Sequence, residues 1–173
     1  MNDERTLNLL GALALGLVDI LNTAVEAHAG HGGGTPAALV TLGAEPGISI
    51  NTLRQILNLS HPGTVRLIDR LEADGLVERG SGSDGRTLAL FLTEAGYERR
   101  KVILAERLHQ LHLVYDCLTL TERKQLTKLL EKMLTTLTTY EQRAYAICRL
   151  CEREICPDNC CPVEQRYRQL VNE

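Results

Sequence analysis

Hydrophobic residues run along this chain with changing periods, and each period predicts an element. Residues 7–27 are apolar on nearly every face. A helix of that kind is buried on all sides, in a core or in a subunit interface. The run Gly30-His-Gly-Gly-Gly34 breaks it. Thr35 and Pro36 then signal a short second helix, with Thr35 as cap and Pro36 in the first turn. Glu45-Pro-Gly47 ends that helix. Ser49 opens a third, with Leu53, Ile56, Leu57 and Leu59 as apolar positions and a break near Asn58. Ser60 caps a fourth, and Gly75 stops it where a left-handed conformation is wanted. On the fourth helix Val65, Ile68 and Leu71, with Leu67 beside them, face inward. Thr64, Arg66, Asp69 and Arg70 face outward.

The period then shifts to two. Residues 76–79 read as a short strand, residues 80–85 as a glycine-rich tip, and residues 86–92 as the return strand of a hairpin. Thr93 caps a long helix that runs to about Asp116. Thr119 and Glu122 have capping-box spacing for a last long helix. On it Leu126, Leu130, Met133, Leu137, Tyr140, Ala144 and Ile147 follow a 4-3 spacing. That is a heptad seam of roughly three repeats, as on a helix lying along another helix.

These elements predict a mainly α fold: a winged helix-turn-helix with one β-hairpin wing, flanked by long N- and C-terminal dimerisation helices. The expected division is 1–30 for an N-terminal dimerisation helix and 35–96 for the winged domain. Residues 97–147 follow as C-terminal dimerisation helices, and 148–173 as a cysteine-rich, metal-binding tail. In a helix-turn-helix the N-terminal residues of the second helix face base edges in the major groove. Here these are His61, Gly63, Thr64 and Arg66, with Arg70 one turn further on. Arginine pairs bidentately with guanine, and threonine contacts bases or phosphates. Arg86 at the hairpin tip reaches a minor groove or a phosphate.

Composition changes the picture in three ways. The 173 residues are 44% hydrophobic but only 3% aromatic, without tryptophan, so the core is aliphatic. The net charge of −3 excludes nonspecific coating of nucleic acid, and any DNA contact must rest on a local surface. No phosphate loop, dinucleotide fingerprint or nucleophile elbow is present, so an enzyme is not expected. The first residues are not a basic signal-peptide region, and the apolar stretch 7–21 carries Asp19 and is short for a membrane span. A cytoplasmic protein without membrane contact is expected. There the six cysteines are reduced thiols.

Residues 59–79 (Leu-Ser-His-Pro-Gly-Thr-Val-Arg-Leu-Ile-Asp-Arg-Leu-Glu-Ala-Asp-Gly-Leu-Val-Glu-Arg) resemble the recognition helix and first wing strand of the MarR (multiple-antibiotic-resistance regulator) family. Asp84-Gly-Arg86 resembles that family's Asp-x-Arg wing signature, and Leu92-Thr-Glu-Ala-Gly96 resembles its turn after the wing. The similarity spans roughly residues 5–147. The resemblance implies a homodimer joined by the first and last helices. It implies two recognition helices reading a near-palindromic double-stranded operator, usually as a repressor, under a possible small-molecule effector. It also implies that Asp84 braces the wing while Arg86 inserts toward the minor groove. Thr87 departs from the family, where a second arginine is common, and Gly63 loosens the start of the recognition helix.

The tail adds a different chemistry. Cys148, Cys151, Cys156 and Cys161 follow C-x2-C-x4-C-x4-C spacing, and Cys160 is a spare fourth ligand. Four such thiolates wrap one tetrahedral Zn2+ or hold an iron–sulfur cluster, and the spacing does not separate the two. A redox or metal-handling protein with a vestigial helix-turn-helix is the alternative function. Cys117 is expected as a buried inert thiol, His109 and His112 as a solvated pair, and His28 and His31 as loop residues.

Overall fold

The structure, a computed structural model, describes residues 3–30, 32–82 and 88–172. Helices dominate. They are α1 (Asp3–Ala29), α2 (Thr35–Ala44), α3 (Ile50–Leu57), α4 (His61–Ala73), α5 (Glu94–Tyr115), α6 (Leu120–Leu137), α7 (Glu141–Cys148) and α8 (Pro162–Asn172). The strands β1 (Ile48–Ser49), β2 (Val77–Ser81) and β3 (Leu88–Leu92) form an antiparallel sheet in the order β1-β3-β2. Val77 pairs with Leu92 and Ser81 with Leu88, and Ile48 pairs with Leu90. The expected mainly α winged fold is what forms. The two-residue β1, which lengthens the wing sheet, is too short to leave a period in the sequence.

Helix α2 is the centre of the winged domain. Its residues from Thr35 to Leu42 are buried, and it packs against α5, β3 and the end of α1. Leu39, Leu42, Leu53, Ile68, Leu71, Leu90 and Ile103 form the fully buried interior around it. Thr35 does not cap this helix. Gly34 holds the cap position, and the Thr35 hydroxyl is buried in the first turn with no hydrogen-bond partner among the described residues. The polar atom is carried inward because the whole first turn is packed.

The wing is tied to α4 and α5 at one turn. Gly75 adopts φ +70 and ends α4, and Leu76 N donates to Leu71 O at 2.9 Å. Thr93 N donates to Leu76 O at 3.1 Å, and the Thr93 hydroxyl donates to Gly75 O at 2.6 Å. Thr93 also caps α5 by accepting from Gly96 N at 3.1 Å. A Cβ at Gly96 would lie 2.1 Å from Leu76 O, so only glycine allows α5 to start this close to the turn.

Two helices leave apolar faces open. Helix α1 buries only Val25 and Ala29, while Leu7, Leu13, Leu15 and Val18 are exposed. Of the two expected burial places, a core or a subunit interface, the core of this chain covers only the C-terminal part of the helix. At 27 residues α1 is also long and apolar enough to cross a membrane by length and composition, so the expected shortness does not hold. Helix α6 buries no residue completely, and Leu130, Met133 and Leu137 are exposed. The single last helix expected from the heptad spacing is two helices. Thr138 ends α6, with its hydroxyl donating to Leu134 O at 2.8 Å, and Tyr140 is extended before α7 begins. Ala144 and Ile147 turn instead toward Val163 and Tyr167 of α8. That helix lies in the expected tail.

Gly96→Ala is expected to destabilise the fold by about 1–3 kcal/mol or more, because the added methyl meets a backbone carbonyl that cannot swing aside. Urea unfolding measures it; an unchanged midpoint would show that α5 can retreat from the turn freely.

Candidate nucleic-acid interface and thiol cluster

Local chemistry builds the helix-turn-helix. Ser49 caps α3 by accepting from Thr52 N at 3.1 Å, and Ser60 caps α4 by accepting from Gly63 N at 3.2 Å. Between them Asn58 takes the left-handed conformation at φ 53, which asparagine tolerates and most residues resist. A Cβ at Gly63 would sit 3.0 Å from the Ser60 hydroxyl, so glycine there keeps the cap unhindered.

The buried stripe of α4 is Thr64, Leu67, Ile68 and Leu71, spaced i, i+3, i+4, i+7. Thr64 is therefore not an outward, base-facing residue. It is fully buried, and its hydroxyl donates to Ser60 O at 3.1 Å. The expected stripe began one residue late, at half-buried Val65, because threonine reads as polar although its methyl group packs. His61, Arg66 and Arg70 are exposed as expected, and Gly63 is half-buried. Arg66 and Arg70, four residues apart, share a helix face. Asp84 and Arg86 lie outside the described residues.

Charge on α4 is sorted by the wing. Arg79 of β2 pairs with both Asp69 and Glu72, which occupies the carboxylates that would oppose a phosphate backbone. Arg66 and Arg70 have no ion pair or hydrogen bond among the described residues. A net charge of −3 thus coexists with a local cationic face.

The tail thiols are brought together by α7, α8 and the loop between them. Cys148 ends α7, and Cys151 N turns back to donate to Cys148 O at 2.9 Å. Cys161 N donates to Pro157 O at 3.0 Å, and Cys161 is buried at the start of α8. Cys148 and Cys156 pack beside it, with Ala144, Leu134 and Val163. The thiols interact in pairs. A hydrogen bond between Cys148 and Cys151 raises the first pKa, aided by burial. The same bond lowers the second against the opposing effect of burial, with Arg107, Arg153 and Arg149 assisting. Burial, and then a hydrogen bond with Cys161, pushes Cys156 up to about 12. Cys160 is exposed, and its thiol donates to Pro157 O at 3.4 Å. Among the described residues no three His, Cys, Asp or Glu side chains stand in a ready coordination geometry. Three of the four thiols, Cys148, Cys156 and Cys161, line one small cavity.

The loop carrying these thiols is fastened to the winged domain. Leu150 packs against the main core, Glu152 pairs with Arg100 at 2.9 Å, and Arg153 pairs with Glu45 at the end of α2. These ties were not expected from the sequence. Each joins residues far apart in the chain, and no local pattern marks them. Helix α8 did leave a signal, since Val163 and Tyr167 recur at i, i+4 after Pro162. The remaining candidates are minor. Cys117 is exposed rather than buried, its thiol donating to Val114 O at 3.1 Å where α5 ends. His28 lies in the last turn of α1 rather than in a loop, with Nδ1 against Ala24 O at 2.9 Å, and His31 lies outside the described residues. His109 and His112 are solvated as expected, with His112 3.3 Å from Asp116.

A capped helix pair with an exposed cationic second helix, braced by an antiparallel wing, defines a winged helix-turn-helix protein. Residues 35–87 match the model of the MarR family. The chain is 36% identical over 108 residues to the transcriptional repressor MprA of Escherichia coli K12, a match that covers 61% of each chain. The chain thus spans about three-fifths of the length of the curated relatives it matches. The crystal structure of a MarR-family transcriptional regulator from Silicibacter pomeroyi is similar at a TM-score of 0.59 and 26% identity, over 75% of this chain and 90% of that one. A variant of Staphylococcus aureus MepR bound to an oligodeoxyribonucleotide shares the fold at a TM-score of 0.56 and 19% identity, over 75% of this chain and 96% of that one.

Ser60→Ala should lower the unfolding free energy by about 0.5–2 kcal/mol through loss of the α4 cap. Denaturant titration checks the loss, and amide exchange at the first turn of α4 should rise with it.

Proposed function

We propose that the chain is a sequence-specific, DNA-binding transcription regulator that acts as a homodimer on a near-palindromic operator and represses. The observation that carries this reading is the exposed Arg66–Arg70 face of α4, unpaired among the described residues, whose neighbouring carboxylates Asp69 and Glu72 are engaged by Arg79. Arg66 reads a base edge, and Arg70 and His61 contact the backbone. Arg86, which follows β2 and precedes β3 in the sequence, contacts a groove or phosphate. Similarity to a repressor supports the sign of regulation. No catalytic chemistry enters this reading.

The dimer reading is supported by the open apolar faces of α1 and α6. With α5 they surround an apolar cavity of about 740 Å³, lined by Leu13, Leu17, Leu108, Leu111 and Leu126 among others. A second copy of the chain, seating the same helices, removes this surface from water. Helix α1 is read as part of that interface and not as a membrane span, because its C-terminal turn sits in the winged-domain core and Asp19 interrupts its apolar run. We read the protein as cytoplasmic, and we assign any small-molecule effector to what remains of the cavity beside the partner helices. The C-terminal thiols hold one tetrathiolate metal centre through which metal supply or redox state reaches the operator.

Duplex-binding measurements test the reading. Arg66→Ala should blur sequence preference, whereas Arg86→Ala should weaken binding to every duplex and reduce the salt slope by about one unit. A chain that loads metal but prefers no duplex sequence would instead be a metal-handling protein with a vestigial helix-turn-helix.

Leu130→Asp should give an aggregated or unfolded chain, because an unpaired charge is costly in a packed seam. Light scattering reads the outcome; a stable, well-folded wild-type monomer would remove the dimer.

A further inference from the structure

We propose that the C-terminal arm, residues 141–172, is a strap that holds α2 and α3 in the position from which α4 meets DNA, and that Arg100, laid in a notch at Gly43, is its buckle. The effect on operator affinity rests on the DNA-binding reading above; the hold on α2 and α3 does not.

The notch lies in the packing of α2. A Cβ at Gly43 would lie 2.3 Å from Cδ and 2.7 Å from Nε of Arg100. The Arg100 side chain therefore crosses α2 in space that any larger residue would fill. It starts on α5, passes Gly43 and ends on the arm, where its guanidinium donates to Glu152 at 2.9 Å. Both side chains are largely covered, at 13% and 21% exposure. Arg100 Nε is buried with no hydrogen-bond partner among the described residues, which leaves Glu152 to offset the charge. A covered guanidinium is costly once its carboxylate is removed. Loss of Glu152 would thus draw Arg100 out of the notch toward water.

The arm grips α2 and α3 at further points. Arg153 pairs with Glu45, the C-cap of α2. Helix α7 packs on α3, and Tyr145 and Cys148 border one crevice with Val40 and Ala44 of α2 and Ile56 of α3. Leu150 packs on the main core and borders a hollow with Leu57 and Leu59, at the turn between α3 and α4. From there the packing continues to α4. A Cβ at Gly34, where α2 begins, would lie 3.2 Å from side-chain carbons of both Leu59 and Leu67. Helix α2 therefore runs from the arm's ion pairs at one end to Leu67 of α4 at the other. A helix pair already held in place gives up less freedom on meeting DNA, so a closed strap raises affinity. Linkage makes the effect reciprocal, and DNA at α4 tightens the strap.

The test uses the full chain, kept reduced, and a duplex that the unaltered chain selects from a random-sequence pool. Glu152→Ala removes the partner of Arg100. Gly43→Ala fills the notch without touching the arm or the exposed face of α4, and alanine is the better helix former, so α2 itself is not weakened. Each variant should speed amide exchange in residues 149–156, α2 and α3, and weaken duplex binding at least about fivefold. The double variant should bind no worse than the weaker single one, because both changes break the same tie. Glu152→Gln, which keeps an acceptor for Arg100, should regain part of the lost affinity. In the unaltered chain, saturation with the duplex should slow exchange in residues 149–156. If Gly43→Ala does not fold, Glu152→Ala and Glu152→Gln carry the comparison. Unchanged exchange in α3 would overturn the strap. Faster exchange with unchanged affinity, or a bound duplex that leaves residues 149–156 as they were, would overturn its coupling to DNA. An unaltered chain that selects no duplex would sink the regulator reading, and exchange in α2 and α3 would then decide the strap alone.

Discussion

The carbonyl of Leu76 joins four elements in one place. It follows the left-handed Gly75 that ends α4, opens β2, accepts from Thr93 after β3, and lies against Gly96 in the first turn of α5. Helix α4, the wing and the long helix α5 are therefore not three independent parts. A shift of α5 moves the Leu76 turn, and with it both the end of α4 and the base of the wing. The run Leu92-Thr-Glu-Ala-Gly96 looks unremarkable as sequence, yet three of its members have a defined duty. Leu92 pairs with Val77, Thr93 bonds twice to the turn and caps α5, and Gly96 clears the carbonyl.

The same economy governs charge. An acidic chain that is to meet DNA has to expose cations at the contact and hide anions there. Arg79 does this from the wing by engaging Asp69 and Glu72 together. The pairing also bridges β2 to α4, so the wing that neutralises the helix orients it as well. Exposed ion pairs contribute little stability, typically 0–1 kcal/mol. Their effect here is on the field at the surface more than on the fold. Arg66 and Arg70 then face solvent without a competing acid on their own helix.

Much of the winged domain was legible because its signals are local. Ser49, Ser60, Thr93 and Thr119 each cap the helix expected of them, and Gly75 turns where a left-handed residue was needed. The failures have physical causes. Thr64 was placed outward because its hydroxyl was counted and its methyl was not; in the structure the hydroxyl is satisfied by Ser60 O, which leaves the methyl free to pack. Thr35 was read as a cap by residue type, but the chain enters α2 one residue earlier. The heptad spacing continued unbroken through a helix end, because Thr138 stops α6 by bonding its own preceding turn and spacing alone does not register that. The thiols were read as ligands only, so the helix that presents Cys161 went unnoticed.

That helix explains why cysteines stand where they do. Around Ala144, Cys161 and Val163 the C-terminal arm has a second, very small core, separate from the main one. A core this size does not offset the backbone entropy of ordering α7, the loop and α8, at roughly 1–2 kcal/mol per residue. Small units of this kind are usually held by a disulfide, a metal or a larger partner. The arm has two other supports, the ties to the winged domain and the contact of α8 with α6, but both are peripheral and partly solvated. The thiols sit at the one point where a bond between α7, the loop and α8 would gather all three supports at once. The arm thus has a weak core beside the strong one of the winged domain. The arm's ties reach Glu45 at the end of α2, and α2 packs on α3, which in turn packs on α4, so the arm and the helix pair share one continuous set of packed elements.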